Sequence, residues 1–250
     1  MNTEIKLEIC VNSPESAFLA ELGGAHRVEL CDNLLEGGTT PSFGAISQAR
    51  KMLTIGLYVI IRPRGGDFLY SDSEFDAMCD DIVISKELGV NGVVFGLLLP
   101  DGSVDTKRTK KLVSLAKPME VTFHRAFDMC NDPFAALEDI IACGCNRILT
   151  SGQQNKAIQG TELIRKLIEK ATGRIIIMPG SGIDESNIEE IYKKTGAKEF
   201  HGSLRTTFES KMNYRNKNVC LSINSESDYN KLLTDPDRIK KVLHILNILK

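Results

Sequence analysis

The chain has 250 residues, and its 31 lysines and arginines against 33 aspartates and glutamates leave a net charge of −2. That balance excludes a dedicated nucleic-acid binder, which needs a basic face to displace counterions from phosphates. The composition, 42% hydrophobic and 26% charged, is globular and excludes a disordered chain.

Short β-branched runs alternate with longer amphipathic ones. Ile5–Cys10 reads as a first strand. Asn12-Ser13-Pro14 then caps a helix with proline in its first turn, and Gly23-Gly24 stops it before a second strand, Arg27–Cys31. Gly56–Ile61 and Gly92–Gly96 follow, the latter after the glycine stop at Gly89. Met119–Phe123 leads to Asn131-Asp132-Pro133, the start of a helix over Phe134–Ala142. Gly144 ends that helix before the strand Arg147–Leu149. Arg174–Met178 precedes Asp184-Glu185-Ser186, whose acids suit the positive end of a helix over Asn187–Lys194. Gly196 then stops that helix before Lys198–His201. The strand starts are one βα unit apart, which predicts a parallel (β/α)8 TIM barrel as one domain over residues 1–250. A doubly wound open sheet is the alternative. No G-x-G-x-x-G follows the first strand, so no nucleotide cofactor is expected.

Residues 203–234 are polar and aperiodic and read as an extended loop. Asp235-Pro236-Asp237 caps a closing helix at about 235–249, with its periodic part over Arg238–Leu249. The seven cysteines are odd in number and irregularly spaced, and Met1–Glu8 carries no apolar leader. No run approaches the roughly 20 apolar residues of a membrane helix. The expectation is a cytoplasmic protein with free thiols and no membrane contact.

Polar residues fall on one parity of the strands. Glu8 and Cys10 oppose Leu7 and Ile9; Glu29 and Cys31 oppose Val28 and Leu30. Thr122 and His124 oppose Val121 and Phe123, and Glu199 and His201 oppose Phe200. If the apolar parity packs on the helices, the polar parity points into the barrel, where charges need partners. Arg62, Arg64, Arg125 and Arg147 are the candidate partners. Such a network could simply specify the fold. Against that reading stands its position at the carboxyl ends of several strands, where barrel enzymes keep their sites.

The loops add candidates. Arg62-Pro63-Arg64-Gly65-Gly66 offers two guanidiniums for a phosphate or carboxylate, although Arg62 could instead pair with Glu29 or Glu8. His124 stands at a strand end with Asp128 near enough in sequence to orient its ring. Ser151-Gly152, Gly180-Ser181-Gly182 and Gly202-Ser203 are small loops of the kind that cradle phosphate through backbone N–H groups, or plain short turns. Cys10 and Cys31 end neighbouring strands on the inward parity. Two facing thiols suit a soft ion such as Cu(I), or serve as small buried hydrophobes.

Taken together, Glu8-Ile-Cys10, Arg27-Val-Glu-Leu-Cys31, Gly37-Gly-Thr-Thr-Pro-Ser42, Ile61-Arg-Pro-Arg-Gly-Gly-Asp-Phe68, Thr122-Phe-His-Arg-Ala-Phe-Asp128, Met178-Pro-Gly-Ser-Gly-Ile183 and Phe200-His-Gly-Ser203 resemble the CutC family, named for copper homeostasis. The resemblance implies a cytoplasmic (β/α)8 barrel that self-associates, often as a dimer. It also implies a copper role carried by Cys10 and Cys31. Three functions follow as expectations. The first is Cu(I) binding by those thiols. The second is an enzyme acting on a small phosphorylated or carboxylated metabolite. There Glu8, Glu29 or His124 would move protons and Arg62 and Arg64 would hold the anion, with the Ser151, Gly180 and Gly202 loops cradling phosphate. The third is a non-catalytic scaffold.

Overall fold

Side chains alternate across a strand, so each strand of a closed sheet feeds two separate cores. The computed structural model describes residues 5–216, 218–221 and 227–249. Among these residues, eight parallel strands form the barrel: β1 (Lys6–Val11), β2 (Arg27–Leu30), β3 (Gly56–Ile60), β4 (Gly92–Phe95), β5 (Glu120–Phe123), β6 (Arg147–Thr150), β7 (Ile176–Pro179) and β8 (Glu199–Gly202). Their hydrogen-bonded order is β7-β6-β5-β4-β3-β2-β1-β8. β7 and β8 lie side by side without a continuous ladder, which makes the barrel nearly closed. The helices α1 (Pro14–Leu22), α2 (Phe43–Met52), α3 (Asp72–Glu87), α4 (Thr106–Ala116), α5 (Pro133–Cys143), α6 (Thr161–Ala171), α7 (Ile188–Thr195) and α8 (Pro236–Ile248) alternate with the strands. The fold is the expected (β/α)8 TIM barrel. No helix among the described residues is long and apolar enough to cross a membrane.

Local chemistry explains the boundaries. Ser13 accepts a hydrogen bond from the Ser16 N–H and Pro14 opens α1, while Asp132 accepts from Phe134 and Ala135 at the start of α5. Gly144 and Gly196 take left-handed conformations at the ends of α5 and α7, where a side chain would be strained. The outer core is the apolar parity: Leu7, Ile9, Val28, Phe123 and Phe200 are fully buried with the inner faces of the helices. The other parity is buried too, and it carries Glu8, Arg27, Glu29, Thr122, Arg147 and Glu199.

The span expected as loop is more ordered than its composition suggests. β9 (Arg205–Glu209) and β10 (Asn230–Thr234) pair antiparallel outside the barrel. β10 lies on α1, where the Thr234 N–H donates to Ser16 Oγ at 3.4 Å. Both strands are largely exposed and polar, so no hydrophobic alternation marked them in the sequence. Residues 217 and 222–226 of that span, and 1–4 at the start, lie outside the described residues.

Candidate functional site

At the carboxyl ends of the strands a cavity of about 670 Å³ opens to the surface. Its floor carries the inward residues of β1, β2 and β8. The registers pair Glu8 with Arg27 and with His201, and Cys10 with Glu29, so these side chains stack in successive rungs.

Beneath the cavity lies a buried ion network. Arg27 donates to Glu8 at 2.5 Å and to Glu199 at 2.5 Å; Arg147 donates to Glu199 at 2.7 Å and pairs with Glu120 at 3.1 Å. Tyr58 O–H donates to Glu120 at 2.7 Å. Buried ions need such partners, because an uncompensated charge costs several kcal/mol. Burial works to raise Glu8, yet the Arg27 charge and the His201 hydrogen bond hold its carboxyl well below the usual range. Glu199 is likewise held down, against burial, by Arg147 and Arg27.

At the cavity floor, His201 links Glu8 to Cys10 and Glu29. His201 Nδ1 lies 2.7 Å from Glu8 Oε1, and His201 Nε2 lies 3.7 Å from Glu29 Oε2. Burial alone would push the His201 pKa down. Hydrogen bonds to Cys10 and Glu8 and the Glu29 charge lift it well above 6.5 instead. Cys10 Sγ and Cys31 Sγ are 3.8 Å apart. The hydrogen bond with Cys31, reinforced by His201, holds the Cys10 thiol down to about 5 against the opposing effect of burial. Cys31 keeps its proton: the same hydrogen bond and burial raise it well above 9.0. Burial first, then the Cys10 charge, push Glu29 up to about 8. Donor atoms of Cys10, Glu29 and Cys31 all lie within 4.8 Å of one another.

The remaining candidates sit as follows. His124 is buried in the cavity wall, its Nδ1 accepting from the Ala126 N–H at 3.2 Å. Burial, with the Arg62 charge nearby, pushes it down to about 3. Asp128 does not orient that ring. Its carboxylate accepts from the Ser151 and Gln153 backbone N–H groups and from Arg125. The Gly152 N–H donates to Thr150 Oγ1 at 2.9 Å. The Ser151-Gly152 turn is therefore an anion cradle filled by the protein's own carboxylate. Arg62 does not pair with Glu8 or Glu29. It donates to the carbonyls of Glu36 (2.7 Å), Gly38 (2.8 Å) and Gly66 (2.8 Å), tying two loops together at the cavity wall. Arg64 turns outward to Glu74 at 2.6 Å and Asp67 at 3.0 Å. Arg64, Ser151, Gly152, Gly180, Ser181, Gly182, Gly202 and Ser203 are not among the residues that line the cavity. Gly180 is needed for close approach: a Cβ there would overlap Leu149 and come within 3.2 Å of His201 Cβ. Ser181 Oγ donates to the Asn155 carbonyl at 2.8 Å.

A family model, that of the CutC family, matches residues 5–206. The chain belongs to the CutC family. A CutC family protein of Parabacteroides distasonis is 53% identical over 236 residues, covering 94% of this chain and 97% of the relative. The human relative named copper homeostasis protein cutC homolog is 48% identical over 235 residues, covering 94% of this chain and 86% of its own length. The solved CutC structure from Streptococcus agalactiae superposes with a TM-score of 0.74 at 36% identity, covering 80% of this chain and 98% of that one. Thiamine phosphate pyrophosphorylase of Pyrococcus furiosus, with a TM-score of 0.61 at 12% identity, shares the fold.

Two residues of the candidate site escaped the sequence reading. Arg27, the central partner of Glu8, opens β2 on the same parity as Glu29 and could have been found by extending the alternation one step. His201 stood on the inward parity of β8, but nothing local linked it to Glu8, Glu29 and Cys10, which come from other strands.

Proposed function

We propose that this chain serves copper homeostasis by binding Cu(I) between Cys10 and Cys31. The 3.8 Å separation of the two sulfurs carries this reading. With metal–sulfur bonds of about 2.3 Å, one ion reaches both sulfurs at a bent angle, which leaves room for a third donor. The Glu29 carboxylate is within that reach. The acidified Cys10 supplies a thiolate near neutral pH, and Cys31 gives up its proton when the ion arrives. The second thiolate offsets the charge of the ion, so the net charge beside Glu29 is the same with and without Cu(I). The reading requires a reducing compartment such as the cytosol, because joining the two sulfurs would remove both ligands. In this reading the chain also pairs as a homodimer, which light scattering checks. Anaerobic competition against a Cu(I) chelator tests the site. The wild-type chain should take up one ion that a Cys10→Ser/Cys31→Ser variant does not; unchanged uptake in the variant rules the site out.

A second reading is favoured by the cavity itself, about 670 Å³, far more space than a bare ion fills. In it the chain is an enzyme acting on a small anionic metabolite. Glu29 is the proton-moving carboxyl, Glu8 sets the charge and orientation of His201, and Arg62 and His124 face the ligand. The Gly180 and Gly202 loops and Arg64 remain candidates for a more distant phosphate. A thermal-shift screen of small anions tests it: a stabilising ligand whose effect vanishes in Arg62→Ala supports the reading, and a ligand unaffected by that change counts against it.

A further inference from the structure

Two buried side chains in the cavity wall each leave a nitrogen without an acceptor: Arg62 Nε and His124 Nε2. Both residues are only 4% exposed. Arg62 satisfies its terminal nitrogens on three backbone carbonyls, so its guanidinium is held in place beside the buried Tyr70 hydroxyl, with Nε–H making no hydrogen bond of good geometry. In His124, Nδ1 accepts from Ala126 and the ring is neutral, so its proton sits on Nε2. Two fixed N–H donors therefore go unused in one wall. The Phe68 ring stands beside both, 5.0 Å from the His124 ring and 5.1 Å from the Arg62 guanidinium carbon. An aromatic face offers only a weak substitute for an oxygen acceptor. Native proteins rarely leave such groups unmet, because desolvating a donor without giving it an acceptor costs stability.

We infer that the cavity binds a small organic carboxylate whose two oxygens accept from Arg62 Nε–H and His124 Nε2–H, with Phe68 yielding to admit it. This deepens the metabolite reading and is independent of the copper site. Two donors match the two oxygens of a carboxylate. The charge nearby does not favour a phosphate dianion: Arg62, Arg125 and charged His201 are offset by Glu36, Asp67, Asp128 and the Cys10 thiolate in the same lining. Leu98, Met129 and Leu149 offer apolar wall for a carbon body. His124 acts here as a neutral donor and moves no proton.

The test is a titration of the full chain, labelled with 15N-histidine, with butyrate, butyramide and inorganic phosphate. Butyrate should shift the His124 Nε2–H resonance downfield and saturably, and butyramide should leave it in place. Butyrate binding should weaken by about tenfold or more in His124→Phe. It should persist in Cys10→Ser/Cys31→Ser, so loss of the copper site leaves this result standing. The wild-type resonance decides the question even where a variant fails to fold. Equal shifts with butyramide, tighter binding of phosphate, or unchanged affinity in a folded His124→Phe chain each overturn the receptor. A screened metabolite that binds without moving the His124 signal would leave the enzyme reading intact and remove this one.

Discussion

His201 and Glu8 meet at 2.7 Å on one rung of the β1–β8 ladder. That contact joins two layers of the barrel. Below it, Glu8 is neutralised by Arg27; above it, the positively charged imidazole faces Cys10 and Glu29. The charge of His201, which lines the cavity beside the thiols, is thus raised in part by Glu8, which does not line it.

The acidity of Cys10 should be visible in its alkylation. Peptide-resolved mass spectrometry should give a rate that falls as the pH drops through about 5 and is level near neutrality. An ordinary thiol is still gaining reactivity there, since its pKa is about 8.5. Cys31→Ala should move the Cys10 midpoint upward further than His201→Gln does, because the Cys31 hydrogen bond is the larger cause. A Cys10 profile that still rises through neutral pH speaks against the thiolate.

Glu8→Gln removes a buried charge while leaving Arg27 and His201 in place. Breaking one member of a buried network costs about 3–5 kcal/mol. Urea unfolding should show a loss of that order, and His201 should titrate at lower pH in the variant. A loss within the range of ordinary surface substitutions would mean that the network is not held by Glu8.

The folded pKa of Glu29, about 8, lies above its ordinary 4.5. The folded chain therefore holds the proton more tightly than the unfolded chain does. The stabilising contribution is complete below about 4.5 and is lost as the pH rises through about 8. Glu29→Gln is neutral throughout and escapes that loss. Its stability relative to wild type should rise between about pH 5 and about pH 8 when unfolding is measured at both. A constant difference would show that Glu29 is ionised in the fold.

Gly180→Ala should cost about 1–3 kcal/mol, the range for overpacking a filled core. The added methyl would overlap Leu149 and press on His201. Because His201 acidifies Cys10, the variant should also raise the Cys10 alkylation midpoint. Full stability with an unchanged midpoint would place Gly180 outside the site's support.

Local chemistry made much of this barrel legible. Capping groups such as Ser13 and Asp132, glycine stops such as Gly144, and the alternation of Glu8, Cys10, Glu29 and Cys31 act within a few residues of chain. Short-range order of that kind is written directly into a sequence. It was enough to place two thiols and two carboxylates on the inner parity of adjacent strands, which register then brought together. The hairpin of β9 and β10 was invisible because its strands are mostly exposed and polar, with Thr234 their one fully buried residue, too little to impose a pattern.

Partner choice was decided only in three dimensions. Arg62 stood near Glu29 in expectation but spends its terminal nitrogens on carbonyls of two loops, whereas Arg27 holds Glu8. Asp128 fills the turn at Ser151 that a foreign anion would otherwise occupy. The residue types, the element order and the inward parity were in the sequence because each depends on neighbours along the chain. Which charge meets which, and which donors are left over, depends on strand register and loop path, where a shift of one ångström separates a hydrogen bond from none.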